Sequence, residues 1–264
     1  MKVEFTSIKC RIIQEKDNIF EIFCESLKEN DITLKEHDIV AITSKVVSLE
    51  QDRIVDLKKQ KIHPLAEKIA SETHMNPAFV SLILEESEMV IGGVHGALLT
   101  LDNDIVLANA GIDQSNSKGD TAILLPENSQ QYAESFAEKL GKKFGINVGV
   151  LVIDSSTRPL RRGTTGLCLG ASSLVPAVID ERGKNDLFGK MMNITTLAVA
   201  DNLATGATLV MGETDEATPF ALIRGFPIKE YEKKAMKPED MVIPFDQCLY
   251  FKHFSGKPLY TKEK

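Results

Sequence analysis

Residues 148–153 read Val148-Gly149-Val150-Leu151-Val152-Ile153 (VGVLVI) and run directly into Asp154. An uninterrupted apolar run of this length predicts a buried β-strand. Other apolar or alternating runs predict further strands, and apolar residues at helical spacing predict helices. The other predicted strands are Val3–Ile8, Asp38–Thr43, Ala122–Leu125, Thr165–Ala171 and Phe220–Arg224, with short β segments between Val90 and Ala108. The predicted helices are Asn18–Leu27, His63–Ser71, Asn76–Glu86, Glu127–Lys143 and Ile194–Thr208.

The order of these elements indicates the fold class. Strands and helices do not alternate regularly, as they would in a doubly wound sheet, so we expect an α+β fold. Local signals mark some boundaries: Asn76 followed by Pro77 predicts a helix start, and Gly145 predicts a helix end. The strand that ends at Thr43 is expected to lead into a polar turn at Ser44-Lys45.

The bulk composition excludes several classes of protein. The chain has 264 residues, a formal net charge of −7 and 43% hydrophobic residues, so a broad nucleic-acid-binding face is not expected. No apolar run approaches the roughly 20 residues that span a bilayer, and the N-terminus lacks the apolar core of a signal peptide. We therefore expect a cytoplasmic protein without a membrane partner. The four cysteines share no C-x-x-C spacing and are expected to be free thiols: Cys10, Cys24, Cys168 and Cys248.

The segment Ala108–Asn116 (ANAGIDQSN) combines small residues with polar ones. Gly111 permits close approach of the backbone, and Asp113 and Asn116 offer oxygen ligands or hydrogen bonds. The alternative interpretation is a β-turn with Asx capping. Spacing alone does not separate the two.

The segment from Asp154 to Gly163 (DSSTRPLRRG) carries the strongest chemical signal. Asp154 follows a buried strand, which is a common position for a ligand of Mg²⁺ or Mn²⁺, and Ser155 could add a hydroxyl. Three arginines within five positions supply donors that suit phosphate or carboxylate. A solvated basic turn is the alternative. We favour a site for phosphoryl chemistry, because apolar strands flank the segment on both sides.

A third segment, Leu209–Pro219 (LVMGETDEATP), is acidic and contains Gly212. It could supply one more metal ligand, although a solvated loop is the default interpretation. The chain has no P-loop, no G-x-G-x-x-G fingerprint and no G-x-S-x-G elbow. Nucleotide binding therefore requires an uncommon scaffold.

Taken together, these segments resemble the coenzyme F420:L-glutamate ligases, also called F420-0:γ-glutamyl ligases. The family pattern A-N-A-G-[IV]-D-x-S-N is matched by Ala108–Asn116, and D-T-x-G-R-x-W-R-x-G is answered by Asp154–Gly163. The likeness runs in order from about Val3 to Gly225. Further matching segments are Ser44–Ser48, Asp180–Gly183 with Asp186 and Gly189, Ala198–Gly212 and Pro219–Gly225.

The resemblance implies an α+β fold of mixed sheets with flanking helices, in an intertwined homodimer. It implies addition of L-glutamate to a carboxyl group of coenzyme F420-0 or a related acceptor through an acyl phosphate. The reaction would be driven by GTP or ATP, with two Mg²⁺ or Mn²⁺ ions and possibly K⁺. We expect residues 1–90 and 176–264 to form a nucleotide-binding core and residues 91–175 an inserted metal- and substrate-binding subdomain.

The resemblance also assigns roles to single residues. Asp113 and Asp154 correspond to ligands of one metal, and Ser155 and Glu213 to ligands of the second. Arg158 and Arg161 are expected to stabilise the transferring group or to hold an acidic substrate. The residues that correspond to nucleotide contacts are Ser44, Lys45, Asn116, Met211, Gly212, Glu213 and Thr214.

The chain departs from the family pattern at several loop positions. Ser155 replaces a threonine and keeps the hydroxyl, whereas Thr157 and Leu160 replace a glycine and a tryptophan. Near the N-terminus, Cys10-Arg11-Ile12-Ile13 stands where the family has L-P-L-[IV]. The alternative acceptor is therefore a folate or another glutamate-tailed pterin. A nucleotide-binding homologue without turnover and a purely structural protein are the remaining alternatives.

Overall fold

The computed structural model describes residues 1–115, 119–231 and 235–262. The chain divides into two compact units, which are described separately. Unit 1 comprises Met1–Glu50 and Pro126–Met241, and unit 2 comprises Gln51–Leu125 and Val242–Lys264. Among the described residues, no helix has the length and apolar character needed to cross a membrane.

Unit 1 is built on a five-stranded sheet, here called the main sheet, with the strand order β1-β12-β2-β8-β9. Only β2 and β8 of this sheet are parallel, and its other neighbours are antiparallel, as an α+β fold requires. The bounds of the five strands are β1 Glu4–Ile8, β2 Ile39–Thr43, β8 Gly149–Thr157, β9 Thr164–Ala171 and β12 Phe220–Arg224.

Helices cover both faces of the main sheet. Val150 and Val152 point to the face on which α1 and α5 pack, and Leu151 and Ile153 point to the face on which α6 packs. This alternation explains the uninterrupted apolar run, because a strand that is buried on both faces needs apolar residues at every position. The helices of unit 1 are α1 Ile19–Glu29, α2 Ser44–Glu50, α5 Ser129–Phe144, α6 Val199–Met211 and α7 Ile228–Tyr231.

The edge strand β9 is covered by two helices. The side-chain amide of Gln130 in α5 accepts from the Ala171 N–H (3.0 Å) and donates to the Ala171 carbonyl (2.6 Å). The Asp201 carboxylate in α6 accepts from the Cys168 N–H (2.9 Å). A Cβ at Gly166 would lie 2.3 Å from the Ala204 backbone, so a glycine is required for this close approach.

A second, three-stranded sheet in unit 1 has the order β11-β10-β13, with β10 Val178–Asp180, β11 Thr196–Ala198 and β13 Ala235–Met236. Residues 181–195 form a hairpin, here called the arm, that joins β10 to β11. Its cross-strand hydrogen bonds include those from the Glu181 N–H to the Thr195 carbonyl (3.1 Å) and from the Gly183 N–H to the Met192 carbonyl (2.8 Å).

Unit 2 has a four-stranded sheet of order β14-β4-β5-β6 and a two-stranded ladder of β3 and β7. The strands are β3 Ile54–Asp56, β4 Met89–Val94, β5 Ala97–Asp102, β6 Ile105–Ala108, β7 Thr121–Ile123 and β14 Tyr260–Thr261. The helices are α3 Ala66–Thr73 and α4 Pro77–Glu86. As predicted, Asn76 caps α4 by accepting from the Ala78 N–H (2.8 Å).

The division into units differs from the predicted boundaries after residues 90 and 175. Residues 126–175 belong to unit 1 because β8 and β9 complete the main sheet beside β2. The functions expected of the two predicted parts remain predictions.

Three local predictions were wrong. Ser44-Lys45 is not a polar turn, because α2 begins at Ser44 directly after β2. The last predicted helix begins at Val199 rather than Ile194, because Thr196–Ala198 pair with β10 as a strand. Asp154 does not open a loop, since β8 continues to Thr157 in pairing with β9.

Candidate active site

Two of the predicted segments meet where the parallel pairing of β2 and β8 ends, at Thr43 and Ile153. This end of the main sheet is here called the carboxyl edge. The parallel strands β2 and β8 place Thr43 opposite Ile153, so Ser44 and Asp154 are the next residues on neighbouring strands. Neighbouring strands lie about 4.8 Å apart, which brings the start of α2 beside the ligand-type residues of β8. Ser44 is buried, and Asp154 and Ser155 are half-buried.

The acidic segment reaches the same edge. Strand β12 is antiparallel to β2 and begins here, with Phe220 opposite Ile42 and the Thr43 N–H donating to the Pro219 carbonyl (3.0 Å). Residues 212–219 therefore run along the carboxyl edge. The Thr218 hydroxyl donates to the Met211 carbonyl and closes this loop on the end of α6.

The acidic loop also contacts the hairpin between β8 and β9. The Thr164 hydroxyl lies 3.4 Å from the Glu213 carboxylate, and Thr164 is paired with Thr157. The predicted ligand Glu213 is thus placed beside the strand pair that carries Ser155. Gly212 has a φ of +75°, and a Cβ there would meet the Glu216 carboxylate at 2.3 Å.

The side chains of Asp154 and Ser155 point to opposite faces of the main sheet, although the two residues are adjacent. Successive side chains of a strand point to opposite faces, so Asp154 continues the face of Val152 and Ser155 continues that of Ile153. Ser155 therefore shares the α6 face with the loop that begins at the end of α6. The Asp154 carboxylate accepts from the Ser155 N–H (2.9 Å).

The three arginines lie in the turn between β8 and β9. Arg158, Arg161 and Arg162 are exposed, and the Arg161 N–H donates to the Arg158 carbonyl (3.1 Å). Leu160 has a φ of +58° and is fully exposed. The turn therefore presents guanidinium groups to solvent next to the carboxyl edge.

Asp113 belongs to unit 2 and has a well-defined local structure. Its backbone bridges Ile123 through two hydrogen bonds (2.9 and 2.8 Å), and its carboxylate accepts from the Ser115 N–H (2.6 Å) and hydroxyl (2.9 Å). This is the Asx turn of the alternative interpretation. Each carboxylate oxygen has a second lone pair, so the turn does not prevent coordination of a metal. The predicted contact Asn116 lies outside the described residues.

The residues before Asp113 adopt an unusual backbone. Asn109, Ala110 and Gly111 all have positive φ (54°, 56° and 69°). The conformation is held by side chains: the Asn109 carboxamide accepts from the Leu98 N–H (2.8 Å), and the Thr100 hydroxyl accepts from the Ala110 N–H (2.9 Å). A left-handed alanine costs about 1–2 kcal/mol, and such strain clusters at functional sites.

The donor set fits a hard divalent cation. Asp113, Asp154, Ser155 and Glu213 offer only oxygen, which is the ligand type that Mg²⁺ and Mn²⁺ prefer. Within residues 1–115, 119–231 and 235–262, no group of three or more His, Cys, Asp or Glu side chains is positioned to hold a metal by itself. The metal sites therefore stay a prediction, and hydroxyl or phosphate oxygens would have to complete the coordination.

Two more residues of the predicted segments lie at the carboxyl edge, Glu216 of the acidic segment and Cys10 of the N-terminal loop. The Glu216 carboxylate accepts from its own N–H and from the Thr214 N–H (2.8 Å) and hydroxyl (3.0 Å), and these bonds lower its pKa. Cys10 joins the edge from β1, because its N–H donates to the Ala217 carbonyl (3.0 Å). The Cys10 contact depends on the pairing of β1 with β12, which leaves no local signal, whereas the Glu216 contact is local to its loop.

Comparisons with known proteins identify the family to which the chain is similar. The model of the family described as F420-0:gamma-glutamyl ligase matches residues 7–225. The coenzyme F420:L-glutamate ligase of Methanopyrus kandleri is 36% identical over 216 residues, covering 81% of this chain and 83% of the relative. That of Methanothermobacter thermautotrophicus is 36% identical over 212 residues (80% and 84%), and that of Methanosarcina mazei 32% over 246 residues (91% and 94%).

These matches define the class of the protein as a ligase that forms carbon–nitrogen bonds. The chain belongs to the F420-0:γ-glutamyl ligase family.

Proposed function

We propose that this enzyme uses GTP to join L-glutamate to a carboxyl group of F420-0 or of a related acceptor. The acceptor carboxylate attacks the γ-phosphorus, GDP leaves, and an acyl phosphate forms. The amino group of glutamate then attacks the acyl carbon and phosphate leaves, so the products are an amide, GDP and phosphate. The observation that supports this most is the convergence of Ser44, Asp154 and the 212–219 loop at the carboxyl edge.

The carboxylates and hydroxyls are proposed to hold two divalent ions. Asp113 and Asp154 are assigned to one ion, and Ser155 and Glu213 to the other. When bound, such ions neutralise the triphosphate and the charge that develops on the transferring phosphoryl group. The opposite orientation of Asp154 and Ser155 along β8 suits ligands of two different ions.

The nucleotide is assigned to the start of α2 and to the loop after α6. Ser44 and Lys45 follow β2 directly, and Met211, Gly212, Glu213 and Thr214 form the turn that leaves α6. Arg158 and Arg161 are assigned to the transferring phosphoryl group or to an acidic substrate, because guanidinium groups donate bidentately to phosphate and carboxylate. A protein with a net charge of −7 needs such local cations to bind a polyanion.

The same reaction on a folate or another glutamate-tailed pterin is the second candidate. It is supported by the hairpin turn, where Leu160 replaces the tryptophan of the family pattern and is fully exposed. A turn with a different side chain at its tip offers a different surface to an acceptor. The catalytic assignments are the same for both acceptors.

We propose further that the enzyme is a homodimer and that the arm contributes to the interface. Its tip is well organised, since the Asp186 carboxylate accepts from the N–H groups of Phe188 and Lys190 (both 2.9 Å). Yet Leu187 and Phe188 are 99% and 95% exposed, and Ile194 is also exposed. An ordered hairpin with uncovered apolar side chains is typical of an interaction surface.

Sedimentation tests the dimer. The chain should sediment at twice its mass of 29.1 kDa, and the double variant Leu187→Asp, Phe188→Asp should be monomeric with unchanged secondary structure. Lys190→Asp, which changes the charge of the same turn, is the matched control and should stay dimeric. A monomeric native chain, or a dimeric double variant, contradicts the assignment.

Mass spectrometry of the product tests the reaction. Purified enzyme is incubated with L-glutamate, Mn²⁺ and KCl, with GTP or ATP, and with F420-0 or a folate as acceptor. Addition of glutamyl units to F420-0 supports the leading proposal, and addition to the folate alone supports the second. Replacing KCl by NaCl tests the role of K⁺. Nucleotide binding without any product identifies a homologue that lacks turnover.

A further inference from the structure

Unit 1 contains an open pocket of about 280 Å³ between the C-terminal ends of α1 and α5. Its walls are largely apolar and are formed by Leu27, Ile32, Leu34, Phe144 and Ile146. None of these residues belongs to the segments assigned to the nucleotide, the metals or the dimer. The pocket is therefore a separate feature of the main-sheet unit.

The rim of the pocket is cationic. Lys28 lies in the last turn of α1, Lys143 lies in the last turn of α5, and both line the pocket together with Cys24. The two lysines also affect the Cys24 thiol in the pocket wall. Burial raises the pKa of this thiol, and the charges of Lys143 and Lys28 oppose that rise.

Lysines in the last turn of a helix also compensate the partial negative charge of the helix end. That role explains why a lysine is present at each helix end. It does not require an apolar cavity between the two, nor that both lysines line it. The combination of apolar walls with two cations at the mouth is what a site for an amphiphilic anion needs.

We propose that this pocket binds a small amphiphilic anion, a carboxylate or sulfonate on a short aliphatic or aromatic body. The body fills the apolar cavity, and the anionic group lies at the mouth near Lys28 and Lys143. Ligand pockets usually measure about 300–1,000 Å³, so a pocket of about 280 Å³, just below that range, suits only a small ligand. The apolar walls and the positive rim exclude a hydrated cation.

The chain supplies a matched control for the role of Lys143. Lys139 lies one turn earlier on the same helix, and both ammonium groups lie over the Phe20 ring, at 5.9 Å for Lys139 and 5.6 Å for Lys143. Lys139 is not among the residues that line the pocket. Removing either lysine deletes one charge and one cation–π contact, but only Lys143 is positioned to bind the anion.

Octanoate is a suitable probe, and 1-octanol is its neutral counterpart of equal chain length. The full-length enzyme is titrated with each compound, and binding is read from the methyl resonances of Ile32 and Ile146. A second readout is the rate of Cys24 alkylation by iodoacetamide, followed by peptide mass spectrometry. Cys248, which belongs to unit 2, is the internal control for reactivity.

We expect octanoate to shift the two isoleucine methyl signals and to slow Cys24 alkylation, and 1-octanol to bind more weakly. Lys28→Ala and Lys143→Ala should each weaken octanoate binding about 2- to 5-fold, the range of an exposed charge pair. Lys143→Glu should weaken it further, and Lys139→Ala should leave it unchanged.

Three results would overturn the proposal: equal binding of octanoate and 1-octanol, an equal loss in Lys139→Ala, or no change of the Ile32 and Ile146 signals at saturating probe. Glutamate addition by the Lys143→Ala variant should remain at the native rate, which separates this pocket from the carboxyl edge.

Discussion

The two ends of the main sheet use the same kinds of side chain for opposite purposes. At one end, the Asp38 carboxylate precedes β2 and is only 2% exposed. It accepts two hydrogen bonds from the Arg224 guanidinium (2.8 and 2.6 Å) and one from the Lys35 N–H (2.7 Å). At the carboxyl edge, Asp154 is half-buried, and the three arginines of the hairpin turn are exposed.

The charged groups at the first end stabilise the fold, whereas those at the carboxyl edge are available to a ligand. Arg224 also donates to the Thr33 carbonyl (2.8 Å), so its guanidinium closes the end of the sheet on the loop before β2. A buried carboxylate needs such a partner, since an unpaired one is strongly destabilising. The groups at the carboxyl edge lie where a ligand can reach them. Arg224 is therefore structural, although it lies in the family-matching segment Pro219–Gly225.

The largest expected effect is at Asp154. Asp154→Asn keeps the size of the side chain and an oxygen that can accept from Ser155, but it removes the charge that a metal requires. We expect glutamate addition to fall about 10³-fold, with a Tm within about 2 °C of the native value. Product mass spectrometry and thermal unfolding measure the two quantities. Full activity in this variant would contradict the metal assignment.

A smaller loss of activity is expected at the hairpin turn. Arg161→Ala should lower kcat/KM about 100-fold without a change in stability, because an exposed guanidinium contributes little to folding. Arg162→Ala removes the neighbouring charge and should cost less than about 10-fold. If Arg161→Ala lowers the Tm and leaves the kinetics normal, the turn is structural, and the contrast between the two ends of the sheet disappears.

At the opposite end, the expected effect is on stability. Arg224→Met leaves the buried Asp38 carboxylate without its main partner, and we expect the free energy of unfolding to fall by about 2–3 kcal/mol. This value lies at the low end for a buried pair because the Arg224 side chain is 32% exposed. Urea unfolding measures it. The folded fraction of the variant should keep the native KM for GTP. A raised KM would indicate that Arg224 takes part in nucleotide binding.

The smallest effect is expected at an exposed pair with the same chemistry. In the arm, the Arg182 side chain and N–H donate to Asp180 and lower the pKa of its carboxyl to about 2. The depressed pKa means that the pair stabilises the fold above the ordinary value of about 3.9, and that this contribution is lost as the pH falls from about 4 to about 2.

Carboxyl NMR titration checks this value. In Arg182→Met the Asp180 pKa should return toward its ordinary range, while the urea midpoint at pH 7 should change much less than in Arg224→Met, because solvent screens an exposed pair. A loss as large as that of Arg224→Met would show that burial does not explain the difference between the two pairs.

Much of the local structure could be predicted from the sequence. Gly149–Ile153 of the predicted apolar run lie in the strand β8. Asn18 caps α1 and Asn76 caps α4. These signals are local, because a strand needs apolar side chains on its buried faces and a helix start needs a side-chain acceptor. The alternating segments of unit 2 also form strands, as expected.

Two of the errors arose where a partner strand decides the local conformation. Thr196–Ala198 has helical spacing but pairs with β10, and Asp154–Thr157 resembles a loop but pairs with β9. Such pairing is determined by the partner strand, so the residues of the segment itself do not reveal it. The partners of the Asp38–Arg224 pair are 186 positions apart in the sequence.

The sequence by itself determined the kinds of group that the protein offers: oxygen ligands, exposed arginines and apolar strands, in the order of one ligase family. Only the tertiary structure decided which of these groups are used internally and which remain available to a ligand. It paired Asp38 with Arg224, placed Ser44, Asp154 and the 212–219 loop at one edge, and left an apolar pocket between α1 and α5. The physical reason is that hydrogen bonding and burial depend on neighbours that are distant along the chain.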